Sequence, residues 1–467
     1  MTSGRATGPA GDDLVGLLAA ELDKGGILTG ADVSARSSDP FSHVPLGSRA
    51  LLRPRSTNEL ARILEICHRH HQPVVVHGGL TGVAGGAAAG TAELVVSLER
   101  MNRIIEIDPA GATMTVEAGV PIEAVQAAAA AQGLFYPIDL GSKGSATVGG
   151  TIATNAGGNR VLRWGMTRQN VLGLEAVLAD GTVVDLMNRF LKNNTGYDLK
   201  QLFIGSEGTL GVVCKAVLKL VPAPSTQQVA LVSLDSYSDV LDLLARARRV
   251  QQLSAFEVMW QDYYALVSGD PARRLVDPDP AFFVLIEAMG SDELNDNAAF
   301  AKLLETAFDD GIVVDAVVAS STKQAEEIWR VREGSEILVR EMGPFVSFDI
   351  SVDIRSANEF VGAVRDALAS TFGEYRSVAF GHLGDSNIHI GVHVGPDTRE
   401  RTHDIEACVY GVLRRFGGAL TAEHGIGSAK REFLPDHIPP EALAMMRKVH
   451  GALNPDWTIN PNVLFEH

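Results

Sequence analysis

The sequence predicts an α+β chain of two domains: a first domain of two successive α/β subdomains, then an α+β domain with an antiparallel sheet. Three observations predict it. The chain has 467 residues, more than one ordinary core absorbs. Strand and helix patterns alternate up to about residue 220, and runs of helix and of antiparallel strand mix beyond it. Between the halves, Pro222–Gln228 carries Pro222, Pro224, Ser225 and Thr226 and reads as a linker. The expected boundaries are 1–44 for an N-terminal helical segment, 45–222 for the first domain and 223–467 for the second.

Residues 13–24 have helical periodicity, with Asp12 or Asp13 as cap. Ser56 or Thr57 can cap a helix running to about His71, which Pro73 ends. Val74–Val76 then reads as a buried strand, followed by the Gly78–Gly82 turn and the strand Leu94–Leu98. A second α/β segment has a strand at Thr113–Ala118 and an Ala-rich helix from Pro121 to Ala131. Leu174–Ala179 and Thr182–Leu186 flank Asp180-Gly181, a hairpin signal, and Val212–Leu220 is a strand. In the second half the pattern predicts helices Ser238–Leu253, Asn295–Asp309 and Lys323–Glu341. It predicts strands Phe282–Glu287, Ser347–Val352, Val378–Gly381 and Ile388–Val394.

An apolar fraction of 46% with 21% charged residues is that of a globular protein. The formal net charge of −17 repels phosphate backbones and anionic lipid, which argues against nucleic-acid and membrane-surface partners. Cys67, Cys214 and Cys408 form no CxxC motif, so a self-contained iron–sulfur cluster or Cys-rich zinc site is excluded. So sparse a count fits a reducing compartment. Met1–Asp12 has no hydrophobic signal core and no apolar run is long enough for a membrane span, so the cytoplasm is the expected location.

Neither GxGxxG nor GxxxxGK[ST] occurs, which leaves nicotinamide cofactors unsupported. Three glycine-dense turns stand instead at Gly78–Gly86, Gly141–Gly158 and Gly205–Gly211. Glycines after strands let the backbone approach a ligand and aim N–H groups at an anion. The middle turn alternates small residues with Thr, Ser and Asn, a poor core and a good polar cradle.

In the second half, a Gly384-Asp385-Ser386-Asn387 reversal can bring His382 and His389 together across a hairpin. Taken alone, the pair reads more plainly as structural histidines. Glu423-His424, in the glycine-flanked turn Thr421–Gly427, adds a carboxylate with no evident packing role. Two imidazoles and a carboxylate are the ligand set of an open catalytic divalent site.

The glycine-rich segments resemble the FAD-binding domain of the vanillyl-alcohol oxidase / p-cresol methylhydroxylase superfamily. That domain typically shows GGGTG, then P.D.GS..AT.GG..ATNAGG, then IGSEGTLG. The resemblance implies that Gly78, Gly79, Leu80, Thr81 and Gly82 wrap the FAD pyrophosphate, with Leu80 replacing a usual glycine. It implies that Pro137, Asp139, Ser145, Thr147, Val148, Gly150, Thr154, Asn155, Gly157 and Gly158 line the diphosphate and isoalloxazine, with Glu207 and Gly208 in the third turn. Covalent members carry His or Cys in these loops; Thr81 stands after the turn here, so non-covalent FAD is expected. His77 reads as satisfying backbone groups.

The second half resembles the C-terminal domain of the superfamily's 2-hydroxyacid dehydrogenases, the D-2-hydroxyglutarate dehydrogenase, D-lactate dehydrogenase and glycolate oxidase catalytic subunit group. GH.GDGN.H and AEHG.G are signature motifs there. The resemblance implies that His382, His389 and Glu423 bind a divalent metal, zinc or else manganese. It implies that His424 accepts the proton, and that Arg332 of Trp329-Arg330-Val331-Arg332-Glu333 holds the substrate carboxylate. Asn460 is implied near the flavin, with the last ~50 residues rejoining the first domain. The implied reaction is oxidation of a D-2-hydroxyacid to the 2-oxoacid by hydride transfer to flavin N5. The acceptor for reduced flavin would be external: an electron-transfer flavoprotein, a quinone, a cytochrome or oxygen. A homodimer is left open. The alternatives are an FAD-linked oxidase of another alcohol, the superfamily's non-redox ether-lipid synthase, and a flavin-carrying subunit of an electron-transfer complex. Three departures stand out: Ser386 in place of the motif's glycine, and Ser347 and Gly391 where the hydroxyglutarate enzymes have Lys and Asn. They lead to an expected preference for uncharged side chains, such as D-lactate, over D-2-hydroxyglutarate, with hydroxyglutarate as runner-up because Arg330 can supply the missing charge.

Overall fold

A computed structural model describes residues 11–38, 44–270 and 273–466. The reading of Met1–Asp12 as lacking a signal core falls largely outside them. The chain forms two compact units. One comprises Met1–Ala156, Met166–Pro222 and His424–His467; the other comprises Gly157–Gly165 and Ala223–Glu423. No helix among the described residues is long and apolar enough to cross a membrane.

The first unit holds two main sheets. The smaller runs in the order Ile27–Thr29, Ala50–Leu52, Leu94–Ser97, Val74–His77, with the first pair antiparallel and the other two parallel. Its strands read as unbroken apolar runs because parallel strands are covered on both faces. The helix Thr57–Arg69 packs Leu60, Ile63 and Leu64 into this core. Ser56 caps it by accepting from the Glu59 N–H at 3.2 Å. The end of the chain lies along the same strand: the Val74 N–H donates to the Thr458 carbonyl and the Asn460 N–H to the Val74 carbonyl. The Asn460 side-chain oxygen accepts from the Val76 N–H at 2.9 Å, beside the strand that leads into the first glycine turn.

The larger sheet of this unit is antiparallel throughout, in the order Ile104–Asp108, Thr113–Glu117, Val212–Lys219, Val171–Val177, Val183–Leu186. Its last two strands make the hairpin around Asp180-Gly181, where Gly181 has φ +86°. The helix Ile122–Ala130 buries Ile122, Val125 and Ala129 in the core of this subdomain.

The second unit is built on seven antiparallel strands. Their order is Asp315–Val318, Thr226–Leu234, Phe282–Gly290, Leu253–Trp260, Arg376–Gly381, Asn387–His393, Val346–Ser351. Four local expectations need correction. Residues Asp12 and Asp13 lie inside the first helix, Gly11–Ala20, rather than at its start. The linker is shorter than expected, because Thr226–Gln228 already belong to a nine-residue strand. The helix expected over Ser238–Leu253 ends at Ala247, and Leu253 opens a strand every residue of which is buried. Such a strand shows no alternation, so periodicity cannot find it. Finally, Lys323–Glu341 is two helices, Thr322–Arg332 and Ser335–Met342, broken at Gly334. A Cβ at Gly334 would lie 2.7 Å from a Val267 methyl, so the close approach requires glycine. The break leaves Arg332 at a helix end.

Candidate active site

The first unit contains a cavity with about 1110 Å³ of empty space, counted out to its open mouth. It is lined by Gly78, Gly79, Leu80, Thr81, Gly82, Thr147, Gly150, Thr154, Glu207, Gly208, His424 and Asn460 among others. The cradle depends on missing side chains. A Cβ at Gly79 would stand 2.0 Å from the Ser145 carbonyl oxygen, and one at Gly78 would stand 2.9 Å from the Thr147 hydroxyl. That hydroxyl is buried and has no hydrogen-bond partner, so it is left for a ligand. Backbone amides, small residues and an unspent hydroxyl suit an anionic dinucleotide.

The remaining residues expected at the flavin have contacts of their own within the protein. Val148 is wholly buried in the apolar core. The Asn155 side chain accepts from the Arg168 N–H at 2.9 Å. Asp139 pairs with Lys143 at 3.0 Å. Ser145 supplies the wall against Gly79, and Pro137 is buried outside the cavity lining. Gly157 and Gly158 belong to the second unit. The carboxylate of Glu207, although at the cavity, accepts from the N–H groups of Ile426 (2.8 Å) and Gly427 (2.7 Å). Burial pushes its pKa up against the pull of those amides. Glu207 therefore fixes the turn that follows His424.

In the second unit, His382, His389 and Glu423 each offer a ligand atom, and the three atoms lie within 4.8 Å of one another. The hairpin accounts for this. The strand Arg376–Gly381 ends at His382, a 3₁₀ turn spans Leu383–Asp385, and Ser386 reverses the chain at φ +77°. His389 then sits on the neighbouring strand, and the two rings meet edge to face with centroids 5.3 Å apart. The Glu423 side chain accepts from the Gly158 N–H at 2.6 Å. A divalent cation fits such a donor set.

Two buried carboxylates stand behind these ligands. Asp349, fully buried, accepts through one oxygen from Thr421 Oγ1 and from the Ala422 and Glu423 N–H groups, the last at 2.8 Å. Its other oxygen lies 3.8 Å from His389 Nδ1. Glu257, 1% exposed, holds His382 Nδ1 between its two oxygens, at 2.9 and 2.8 Å, and the second of these also accepts from Arg332 Nε at 2.9 Å. Burial alone would depress the His382 pKa; the Glu257 carboxylate outweighs this and raises it to about 9, so a cation at Nε2 would have to displace a proton. Burial opposes the charge on Glu257, but His382 and Arg332 keep its pKa below the ordinary value. Burial also lifts the Asp385 carboxyl to about 7, against the pull of His382.

Arg332 is thus partly committed. Its Nη2 is 2.8 Å from the same Glu257 oxygen, and its guanidinium lies over the Phe380 ring at 4.8 Å. A substrate carboxylate would meet its far end rather than the Nε side. Glu257 and Asp349 were missed as site residues in the sequence. The one available clue was a single Glu inside the apolar run Leu253–Trp260.

Residues 48–187 match the family model of an FAD binding domain, and residues 223–464 match that of FAD linked oxidases, C-terminal domain. The chain belongs to the FAD-linked oxidase family. This FAD-linked oxidase is 38% identical over 423 residues to a D-2-hydroxyglutarate dehydrogenase of Xanthomonas citri pv. viticola, covering 89% of each chain. It is 38% identical over 417 residues to the mitochondrial D-2-hydroxyglutarate dehydrogenase of Bos taurus, covering 89% of this chain and 76% of that one. A D-2-hydroxyglutarate dehydrogenase of Stutzerimonas stutzeri matches at 31% over 452 residues, covering 95% and 97%. Among solved structures, p-cresol methylhydroxylase superposes with TM-score 0.76 at 17% identity, covering 95% of both chains. An alkyldihydroxyacetonephosphate synthase superposes with TM-score 0.75 at 14% identity, covering 96% of this chain and 84% of that one. At such identities these two share the fold alone.

Proposed function

We propose that this FAD-linked 2-hydroxyacid dehydrogenase oxidises D-2-hydroxyacids with a divalent cation, zinc in the first instance, held by His382, His389 and Glu423. The observation that carries the reading is the close approach of two imidazoles and a carboxylate, with Arg332 anchored on the same carboxylate as one of the imidazoles. The cation would supply charge that acidifies the 2-hydroxyl. His424, next in the chain after Glu423, takes the hydroxyl proton at an imidazole nitrogen. Arg332 holds the substrate carboxylate by its free end. Bound flavin supplies a two-electron acceptor for the C2 hydride. Gly79 and its neighbours cradle the diphosphate, and Thr147 offers its unspent hydroxyl. Thr81 offers neither imidazole nor thiol, so the flavin is held non-covalently and leaves on acid precipitation. With no cluster-forming cysteines, reduced flavin passes its electrons to an external acceptor.

The side chain of the substrate is argued from the strand that bears His389. Gly391 faces the same way two residues on, about 7 Å along the strand. A Cβ there would meet Val378 at 3.3 Å, Phe345 at 3.5 Å and the Met342 sulfur at 3.6 Å. The partner of Gly391 on the adjacent strand is Ser347. This level is an apolar wall with one short hydroxyl. A distal carboxylate lacking a charged hydrogen bond forfeits roughly 1.5–3 kcal/mol, on the order of ten- to a hundredfold in affinity. The enzyme accordingly prefers D-lactate to D-2-hydroxyglutarate. The names of the relatives favour the second reading, D-2-hydroxyglutarate. Comparing kcat/KM for the two acids decides between them: a value at least about tenfold higher for D-lactate is expected, and a preference for D-2-hydroxyglutarate overturns the first reading.

A further inference from the structure

Glu257 is the only charge in the strand Leu253–Trp260, all of whose residues are buried. A carboxylate in such a place is costly to the fold unless it is paired and hydrogen-bonded. A single cation would neutralise it, yet it engages two groups with different tasks. His382 Nδ1 lies 2.9 Å from one oxygen and 2.8 Å from the other, and that second oxygen also accepts from Arg332 Nε at 2.9 Å. His382 reaches it from the end of the strand Arg376–Gly381, and Arg332 from the end of the helix broken at Gly334. Each partner has a further contact: Arg332 lies over the Phe380 ring at 4.8 Å, and the His382 ring meets that of His389 with centroids 5.3 Å apart.

We infer that Glu257 is a positioning residue that couples the metal centre to the substrate clamp through one carboxylate. This rests on the metal reading above. By accepting from Nδ1–H it selects the His382 tautomer whose Nε2 lone pair is free for a cation. By accepting from Nε it fixes the plane of the Arg332 guanidinium and leaves the far end for the substrate carboxylate. A shift in either partner is then felt by the other.

The test uses the full-length flavoprotein and Glu257→Gln, which keeps the shape and removes the charge. Both proteins are stripped of metal and titrated with zinc against a competing chelator, and then assayed with D-lactate. In E257Q, zinc affinity falls by about ten- to a hundredfold, as for other outer-shell partners of metal histidines. Its KM rises as well, while FAD content stays at the wild-type level. Zinc affinity and KM both unchanged in E257Q overturn the inference. Wild-type protein that binds no zinc overturns the metal reading itself, and the inference with it. Should E257Q not fold, Glu257→Asp replaces it. That variant keeps the charge but retracts the carboxylate by one methylene, so it must lose zinc affinity or raise KM for the inference to stand.

Discussion

Leu80 and Ser386 stand at φ +55° and +77°, in the left-handed region that L side chains avoid. Both are positions where the superfamily motifs carry glycine. The backbone has kept the glycine conformation although the residue changed, at a cost of about 1–2 kcal/mol per site. At Ser386 the conformation is needed, because it turns the chain between the two histidines proposed as metal ligands. Ser386→Gly should therefore stabilise the protein by about 0.5–1 kcal/mol, the relief of strain less the entropy of glycine. Thermal unfolding checks it: a midpoint higher by about 2 °C is expected, and an unchanged or lower one means that the Ser386 side chain compensates locally. Motifs made such positions visible in the sequence. Glu257 was not visible, because one carboxylate in an apolar strand carries no spacing signal; only the fold shows that His382 and Arg332 converge on it.

Elements, rather than single residues, bring the candidate ligands together. His382 and His389 are seven positions apart and would face opposite ways on one continuous strand. The 3₁₀ turn and the Ser386 reversal put them on neighbouring strands instead. His389→Ala removes one proposed ligand, which belongs to the second unit, whereas the proposed flavin cradle belongs to the first. Bound zinc should fall well below one equivalent and kcat/KM by at least about a hundredfold, a loss of about 3 kcal/mol or more, with FAD content unchanged. A variant that keeps its activity after losing its metal contradicts the assignment. Apolar runs set off by turn residues, even those buried on both faces such as Phe282–Gly290, and helices with clear caps were legible in the sequence. The strand Leu253–Trp260 and the start of Thr226–Leu234 were not, since no Gly or Pro separates the first from the preceding helix and two glutamines stand at the start of the second. The helix break at Gly334 was hidden for another reason: a tertiary contact with Val267 requires it, and local propensity does not record that contact.

At the scale of the whole molecule, the proposed reaction draws its residues from both units. The first supplies a glycine-walled cavity, and its turn at Ile426 and Gly427 is held by Glu207 next to His424 in the chain. The second supplies the cluster of His382, His389 and Glu423 on an antiparallel sheet. The peptide bond between Glu423 and His424 is where the chain passes from one unit to the other, so the proposed metal ligand and the proposed proton acceptor are consecutive residues. The central claim is that these parts take a hydride and a proton from a D-2-hydroxyacid. Anaerobic titration of the purified yellow protein with paired D- and L-2-hydroxyacids tests it most directly. The visible absorption of the flavin should bleach on adding D-lactate or a close D-2-hydroxyacid, and should not respond to the L enantiomers. A flavin that no D-2-hydroxyacid reduces, or that the L acids reduce equally well, would contradict the account.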